Sequence, residues 1–373
     1  MKQPEIVVDL IKAAFIALIV KVMATSSLIM PWNSFADNLC IVFAVCVTLA
    51  KICRHTFALK KFISLAAVAL VTLYSCVALG QYDLLITLIA VCLLIDEDIE
   101  DFISLMLNVQ VCILIGHIAV SGLLSLFGSG SLFWITTDHR LRFNGGFDHA
   151  NVLSSYTLSC MLMFAWKQFK HITANQFAWM ACVAVFSFLL TRSRTGLLLN
   201  VILLLLLLFT QSETKRAMRI IDPILLCLFP SLAAAVFWAQ KQLLSGSKAA
   251  LLLDDLLTGR IKYAAYAYLR SGVTWLPRYL DYADSGRVSW TPEWNLNTFT
   301  FDNLYSFCFM QLGMIWIVIF SVMVAAVCKK SEFRNKLFLL VWILFAMVEV
   351  HGLNCFKFFP LILLSTLFSE REA

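Results

Sequence analysis

Charge is scarce in this chain: Asp, Glu, Lys and Arg make up 14% of its 373 residues, whereas 61% are hydrophobic, and the mean hydropathy is +0.85. A soluble globular chain carries about 25% charged residues, so water is excluded as the main solvent and a bilayer is predicted. No two of the 12 cysteines stand at C-x-x-C spacing, and nearly all of them, among them Cys40, Cys92, Cys112 and Cys182, fall in or beside apolar runs. That placement makes them small packing residues rather than a disulfide framework. The first apolar run, from about Val7, contains Lys12 and Lys21 and lacks a small-residue cleavage site after it, so it is expected to be a retained helix rather than a signal peptide. Internal repeats are missing too, and with them the inverted-repeat signature of many transporters.

What is present is a series of apolar runs. With roughly 20 apolar residues needed per span, twelve can be drawn: 7–29, 37–53, 62–80, 83–95, 102–127, 148–166, 177–192, 195–210, 220–239, 302–328, 335–350 and 352–368. The fourth, seventh, eighth and last are short, which leaves 10 to 12. The expected fold is an all-α integral membrane protein, a polytopic bundle of about 12 transmembrane helices forming one domain over 1–373, with one large extracytoplasmic loop, 240–301, containing short helices. Within that loop, LLLDDLLTGRIKYAAYAYLRSG (251–272) predicts an amphipathic helix starting near Asp254 or Asp255 and closed by Gly272.

The net charge of +6 does not point to nucleic acid, because the basic residues cluster between apolar runs where they set orientation. Lys51, Arg54, Lys60 and Lys61, then Lys167 and Lys170, then Lys215, Arg216 and Arg219, then Lys329, Lys330, Arg334 and Lys336 mark alternate loops. By the positive-inside rule these loops and both termini are cytoplasmic. The acidic IDEDIED (95–101) lies on the same side, which the rule tolerates because acidic residues count little in it.

Lysine predominates on that side and arginine on the other. Arg140, Arg142, Arg192, Arg194, Arg260, Arg270, Arg278 and Arg287 outnumber Lys241, Lys248, Lys262 and Lys357 on the expected outer face. Orientation needs only charge, whereas the guanidinium fork suits bidentate binding of phosphate or carboxylate. For any one of these arginines, snorkelling or pairing with Asp254, Asp255, Asp281 or Asp284 is an equally good account; as a set they favour an anionic ligand. Arg192 and Arg194 in LLTRSRTGLLLN (189–200) stand between two apolar helices, where ionisable groups are costly and usually functional. The competing account, a capped hairpin touching ordinary anionic lipid, needs charge but no fork.

The long loop adds Tyr263, Tyr266, Tyr268, Trp275, Tyr279, Tyr282, Trp290 and Trp294, rings that suit a sugar face or an interfacial belt. Asp302 and Asn303 sit at the mouth of the tenth run, where a carboxylate either caps a helix or takes a proton from a hydroxyl. His149 and Asn151 sit similarly before the sixth, after the glycine pair of FNGGFDHAN (143–151). Neither His149 nor Asp148 has partners at metal-ligand spacing, so no protein-held metal is expected.

Taken in order, the acidic turn at 95–101, FNGGFDHAN at 143–151, RSRTG at 192–196 and D-N-x-Y with a following L-G at 302–313, with LTGRIKY at 257–263 as a fifth element, resemble the O-antigen polymerase and ligase superfamily, especially exopolysaccharide and capsule polymerases, over about Leu84 to Phe368. The resemblance implies a glycosyltransferase of the bacterial cytoplasmic membrane that joins a glycan carried on polyprenyl diphosphate to a hydroxyl of another lipid-linked repeat. It implies an outer-face reaction without nucleotide sugar, ATP or other cofactor, and flippase and chain-length regulator proteins as partners. The residues it assigns are Arg192, Arg194 and Arg260 to the diphosphate and Asp302 to the acceptor hydroxyl, with His149, Asn151, Asn303, Tyr263, Arg270 and Arg142 binding substrate. Ligases of the superfamily carry His where this chain has Asp302, which favours a polymerase. A flippase or transporter of the same lipid would instead place cations in mid-membrane, where the sequence offers only Lys12 and Lys21.

Overall fold

The computed structural model describes residues 5–30, 32–128, 132–135, 141–212, 214–257, 259–280, 301 and 303–370. Helices α1 (Glu5–Thr25), α2 (Ser34–Arg54), α3 (Leu59–Leu79), α4 (Asp83–Leu93) and α5 (Ile99–Leu126) precede a small hairpin, β1 (Phe133–Ile135) and β2 (Leu141–Phe143). Then come α6 (Ala150–Lys167), α7 (Ala174–Thr191), α8 (Arg194–Ser212), α9 (Thr214–Leu244), α10 (Lys248–Leu256), α11 (Arg260–Ser271), α12 (Leu304–Phe307), α13 (Met314–Lys330) and α14 (Phe333–Phe345). Among the described residues the regular structure is thus helical apart from this two-stranded sheet.

Among the described residues five helices are long and apolar enough to cross a membrane: α2, α3, α5, α7 and α9 from Met218 onward; α4 and α8 are shorter apolar helices. Their outer faces are apolar, with Val77 86% and Leu126 81% exposed, surfaces that fit hydrocarbon rather than water. Inside them lie α4, α6 and α14, buried around most of their circumference.

The last expected span, 352–368, is not an α-helix. It forms two 3-10 stretches, Val350–Leu353 and Phe359–Leu367, joined by turns. Irregular backbone at membrane depth is tolerated only where protein satisfies its polar groups, and here polar side chains of three other helices, α4, α5 and α6, do so. Thr87 donates to Leu353 O at 2.6 Å, Gln110 donates to Phe356 O at 2.6 Å, and Ser159 Oγ accepts from the Phe359 amide at 3.2 Å.

The expected tenth span, 302–328, is also interrupted. A π-helical turn (Cys308–Leu312) follows α12, and Gly313 breaks the chain with φ +96° before α13 begins. Residues 274–278 fill the break: Thr274 N donates to Phe309 O, Arg278 N to Gln311 O, and Met314 N to Thr274 O. Arg278 also donates from its guanidinium to Met310 O, Ser271 O and Gly272 O, so this arginine serves the backbone.

The single helix expected from Asp254 to Gly272 is two. Gly259, at φ +83°, separates α10 from α11, and the buried Asp254 accepts from the Lys262 amide at 3.0 Å. Gly272 closes α11 with φ +64°, as the sequence predicts.

The two ends of the bundle differ in chemistry. At one end Lys51 pairs with Glu97 (2.6 Å), His55 with Asp96, Lys61 with Glu370 (2.9 Å) and Lys336 with Asp222 (3.0 Å), while Arg334 stacks on Trp166. The acidic 95–98 turn is therefore the counter-charge of that lysine end. The opposite, arginine end carries the hairpin, the α7–α8 turn and α10–α11.

Candidate functional site

The α7–α8 turn is built to display arginine. Helix α7 ends on Arg192, which takes the left-handed conformation (φ 54°) while its amide donates to Phe188 O at 2.7 Å. A non-glycine residue there is uncommon. Ser193 then caps α8, its hydroxyl accepting from the Gly196 amide at 3.3 Å. This two-residue reversal leaves Arg192 and Arg194 exposed on either side of a buried Ser193, at a helix N-terminus whose amides favour an anion.

Two more arginines come from distant parts of the chain. Arg142 projects from β2, its Nε donating to Thr191 O at 2.6 Å and Nη2 to Asn151 Oδ1 at 2.7 Å. Arg260 opens α11 and donates from Nη1 to Val348 O at 2.5 Å. Arg142, Arg192, Arg194 and Arg260 line one cavity of about 410 Å³ together with Asn151, Ser193, Thr195, Leu198, Leu256, Leu257 and Val348. Burial lowers the Arg142 pKa and the Glu349 carboxylate opposes that. A second hollow, about 440 Å³, is lined by Arg192 and Arg194 with the apolar Leu141 and Phe188. The turn arginines thus stand on the border between a polar cavity and an apolar groove.

The cavity matches no precedent by homology: no family model, no curated protein and no solved structure matches this chain. Its chemistry has to be read from its own residues.

Five of the ten residues singled out from the sequence, Arg142, Asn151, Arg192, Arg194 and Arg260, meet at this cavity. His149, Asn303, Tyr263 and Arg270 lie outside its lining among the described residues, and Asp302 lies outside the described residues altogether, as do Arg140, Tyr282, Arg287, Trp290 and Trp294. His149 caps α6, its Nδ1 accepting from the Asn151 amide at 3.0 Å, which puts the neutral ring's proton on Nε2. Burial and then the nearby Arg142 lower its pKa. Asn303 caps α12, accepting from Ser306 N at 2.7 Å. Tyr263 follows Arg260 by one turn of α11. Arg270 donates to the Tyr266 hydroxyl at 3.4 Å and, ten residues along the helix, stands roughly 15 Å from Arg260.

Ser193, Thr195 and Glu349 are polar residues of the site that sequence reasoning does not single out. Glu349, in the turn after α14, is 9% exposed, accepts from Asn151 Nδ2 at 3.3 Å and faces Arg260 Nη2 at 3.9 Å. It lines a narrow crevice with Ser154, Ser155, Ser193 and Thr195 next to the main cavity. For Glu349 the signal is a lone carboxylate in the apolar run FAMVEV (345–350), the kind of intramembrane ionisable residue that marks a functional site, which the end of the eleventh apolar run conceals. Lys357, counted among the outer cations, pairs instead with Asp83 at 3.6 Å.

Proposed function

We propose that the chain is a polymerase of lipid-linked glycan repeat units, working on the outer face of a bacterial cytoplasmic membrane with both termini cytoplasmic. The observation that carries this reading is the convergence of Arg142, Arg192, Arg194 and Arg260 on one cavity that adjoins an apolar groove. A lipid diphosphate needs both surfaces: guanidiniums for its headgroup and an apolar wall for its chain.

In the proposed reaction an acceptor sugar hydroxyl attacks the anomeric carbon of the donor glycan. The new carbon–oxygen bond forms as the bond to the diphosphate breaks, and the electron pair stays on the diphosphate oxygen. The hydroxyl proton passes to a base, for which Asp302 is the proposed group. Guanidiniums that meet the charge as it develops on the leaving oxygen lower the barrier, and Asn151, Thr195 and Ser193 offer hydrogen bonds to the sugar beside it.

The test uses the purified full chain in lipid nanodiscs with an undecaprenyl diphosphate-linked repeat unit. A ladder of longer lipid-linked glycans is expected, shortened or abolished by Arg192→Ala, Arg194→Ala and Arg260→Ala, with a loss of tenfold or more for each charge-assisted contact of about 1.5–3 kcal/mol. Unchanged yield and chain length in all three would overturn the arginine assignment. Translocation in proteoliposomes without elongation would make the chain a flippase, and transfer only to an acceptor that is not a repeat unit would make it a ligase.

A further inference from the structure

Glu349 has no assignment in the transfer reaction, yet it places a carboxylate beside the guanidiniums that line the cavity. The linkage is specific. Asn151 accepts from Arg142 through Oδ1 (2.7 Å) and donates to Glu349 through Nδ2 (3.3 Å), so one amide joins guanidinium to carboxylate. On its other side the carboxylate meets Arg260 at 3.9 Å, while Nη1 of the same guanidinium is fixed on Val348 O at 2.5 Å. The Arg260 contact is thus at the long limit of an ion pair. At that separation the carboxylate still weakens the field on a phosphate oxygen that the arginine holds.

Cleavage changes what the arginines hold. When the anomeric bond breaks, the diphosphate gains the electron pair, and the released polyprenyl diphosphate carries more negative charge than the glycosylated donor. Guanidiniums that stabilise the transition state therefore hold this product more tightly than the substrate, and uniform tightening of the ground states slows turnover without lowering the barrier. We propose that Glu349 is a positioning residue that limits the grip of Arg260 and Arg142 on the cleaved polyprenyl diphosphate and so sets its release. This inference rests on the polymerase reading above, but its core, a carboxylate that weakens diphosphate binding, can be measured apart from it.

The full chain in nanodiscs is titrated with inorganic pyrophosphate and with undecaprenyl diphosphate, comparing the native protein with Glu349→Gln, which keeps an acceptor for Asn151 and removes the charge. Glu349→Gln is expected to bind both probes about tenfold more tightly, and in the elongation assay to lower kcat and strengthen inhibition by undecaprenyl diphosphate without raising the donor KM. Equal pyrophosphate affinity, no measurable binding by either protein, or a raised donor KM at unchanged kcat would overturn the proposal. Should Glu349→Gln not fold, Glu349→Asp, which withdraws the carboxylate from Arg260, is expected to tighten pyrophosphate about threefold, and no change there overturns it equally. Failure of the native protein to elongate glycans would sink the polymerase reading while the pyrophosphate comparison still decides the role of Glu349.

Discussion

A methyl group on residue 196 would stand 2.1 Å from the Ser154 hydroxyl oxygen. Gly196 lies in the first turn of α8, its amide bonded to Ser193, and its missing side chain lets α8 press against α6 beneath the arginine turn. Gly196→Ala is therefore expected to push the turn outward, displace Arg192 and Arg194 from Arg142 and Arg260, and cost tenfold or more in elongation, since misplacement of about 1 Å can cost that much. The clash is with one atom: the Ser154 Cβ is 3.5 Å away, an ordinary contact. Adding Ser154→Ala should thus recover most of the activity lost by Gly196→Ala, and a double variant no better than the single one would show that the turn is not set by this contact.

Among the elements, the interruptions matter more than the helices. The apolar runs of α2, α3, α5, α7 and α9 were legible because their composition alone calls for a bilayer. The break at Gly313 was not, since CFMQLGMIW (308–316) reads as continuous apolar helix and the bonds that hold it open come from residues 274–278, some forty positions earlier. The same holds for 352–368, whose 3-10 form depends on Thr87, Gln110 and Ser159 from three other helices. Local pattern does not encode such partners. Gly313 combines φ +96° with Trp275 O only 2.7 Å from where a Cβ would be, so Gly313→Ala is expected to unseat the 274–278 strap and destabilise the fold by about 2 kcal/mol or more. Thermal unfolding in detergent measures this; an unchanged melting temperature would mean that the strap does not hold α13.

At the scale of the whole molecule the two ends differ in polar chemistry: lysine– and histidine–carboxylate pairs hold one, while the other adds backbone-anchored arginines to the Lys357–Asp83 pair. Residue type and placement were enough to find Arg142, Arg192, Arg194 and Arg260, because cations are few in so apolar a chain. Which polar residues would join them was not legible: Glu349 meets Arg260 and Lys357 meets Asp83, in both cases across a long stretch of chain whose local pattern does not announce the partner. Around Lys357 such partners make a stability prediction. His351 is partly buried at the arginine end, and burial, then Lys357, bring its pKa down to about 4, with Asp83 opposing and His149 adding to the shift. The unfolded chain has an ordinary histidine pKa of about 6.5, so the folded value is depressed: below 6.5 the unfolded state binds more protons, and stability falls as pH drops from 6.5 toward 4. His149, lowered in the same direction, adds to this fall, whereas Asp148, raised by burial, works the other way as pH falls through its raised pKa toward the ordinary carboxyl value. The melting temperature in detergent should therefore decline across pH 6.5 to 4 in the native protein and decline less in His351→Asn, which removes the titrating group. Parallel pH profiles for the two proteins would show that His351 does not govern the acid lability of this end of the bundle.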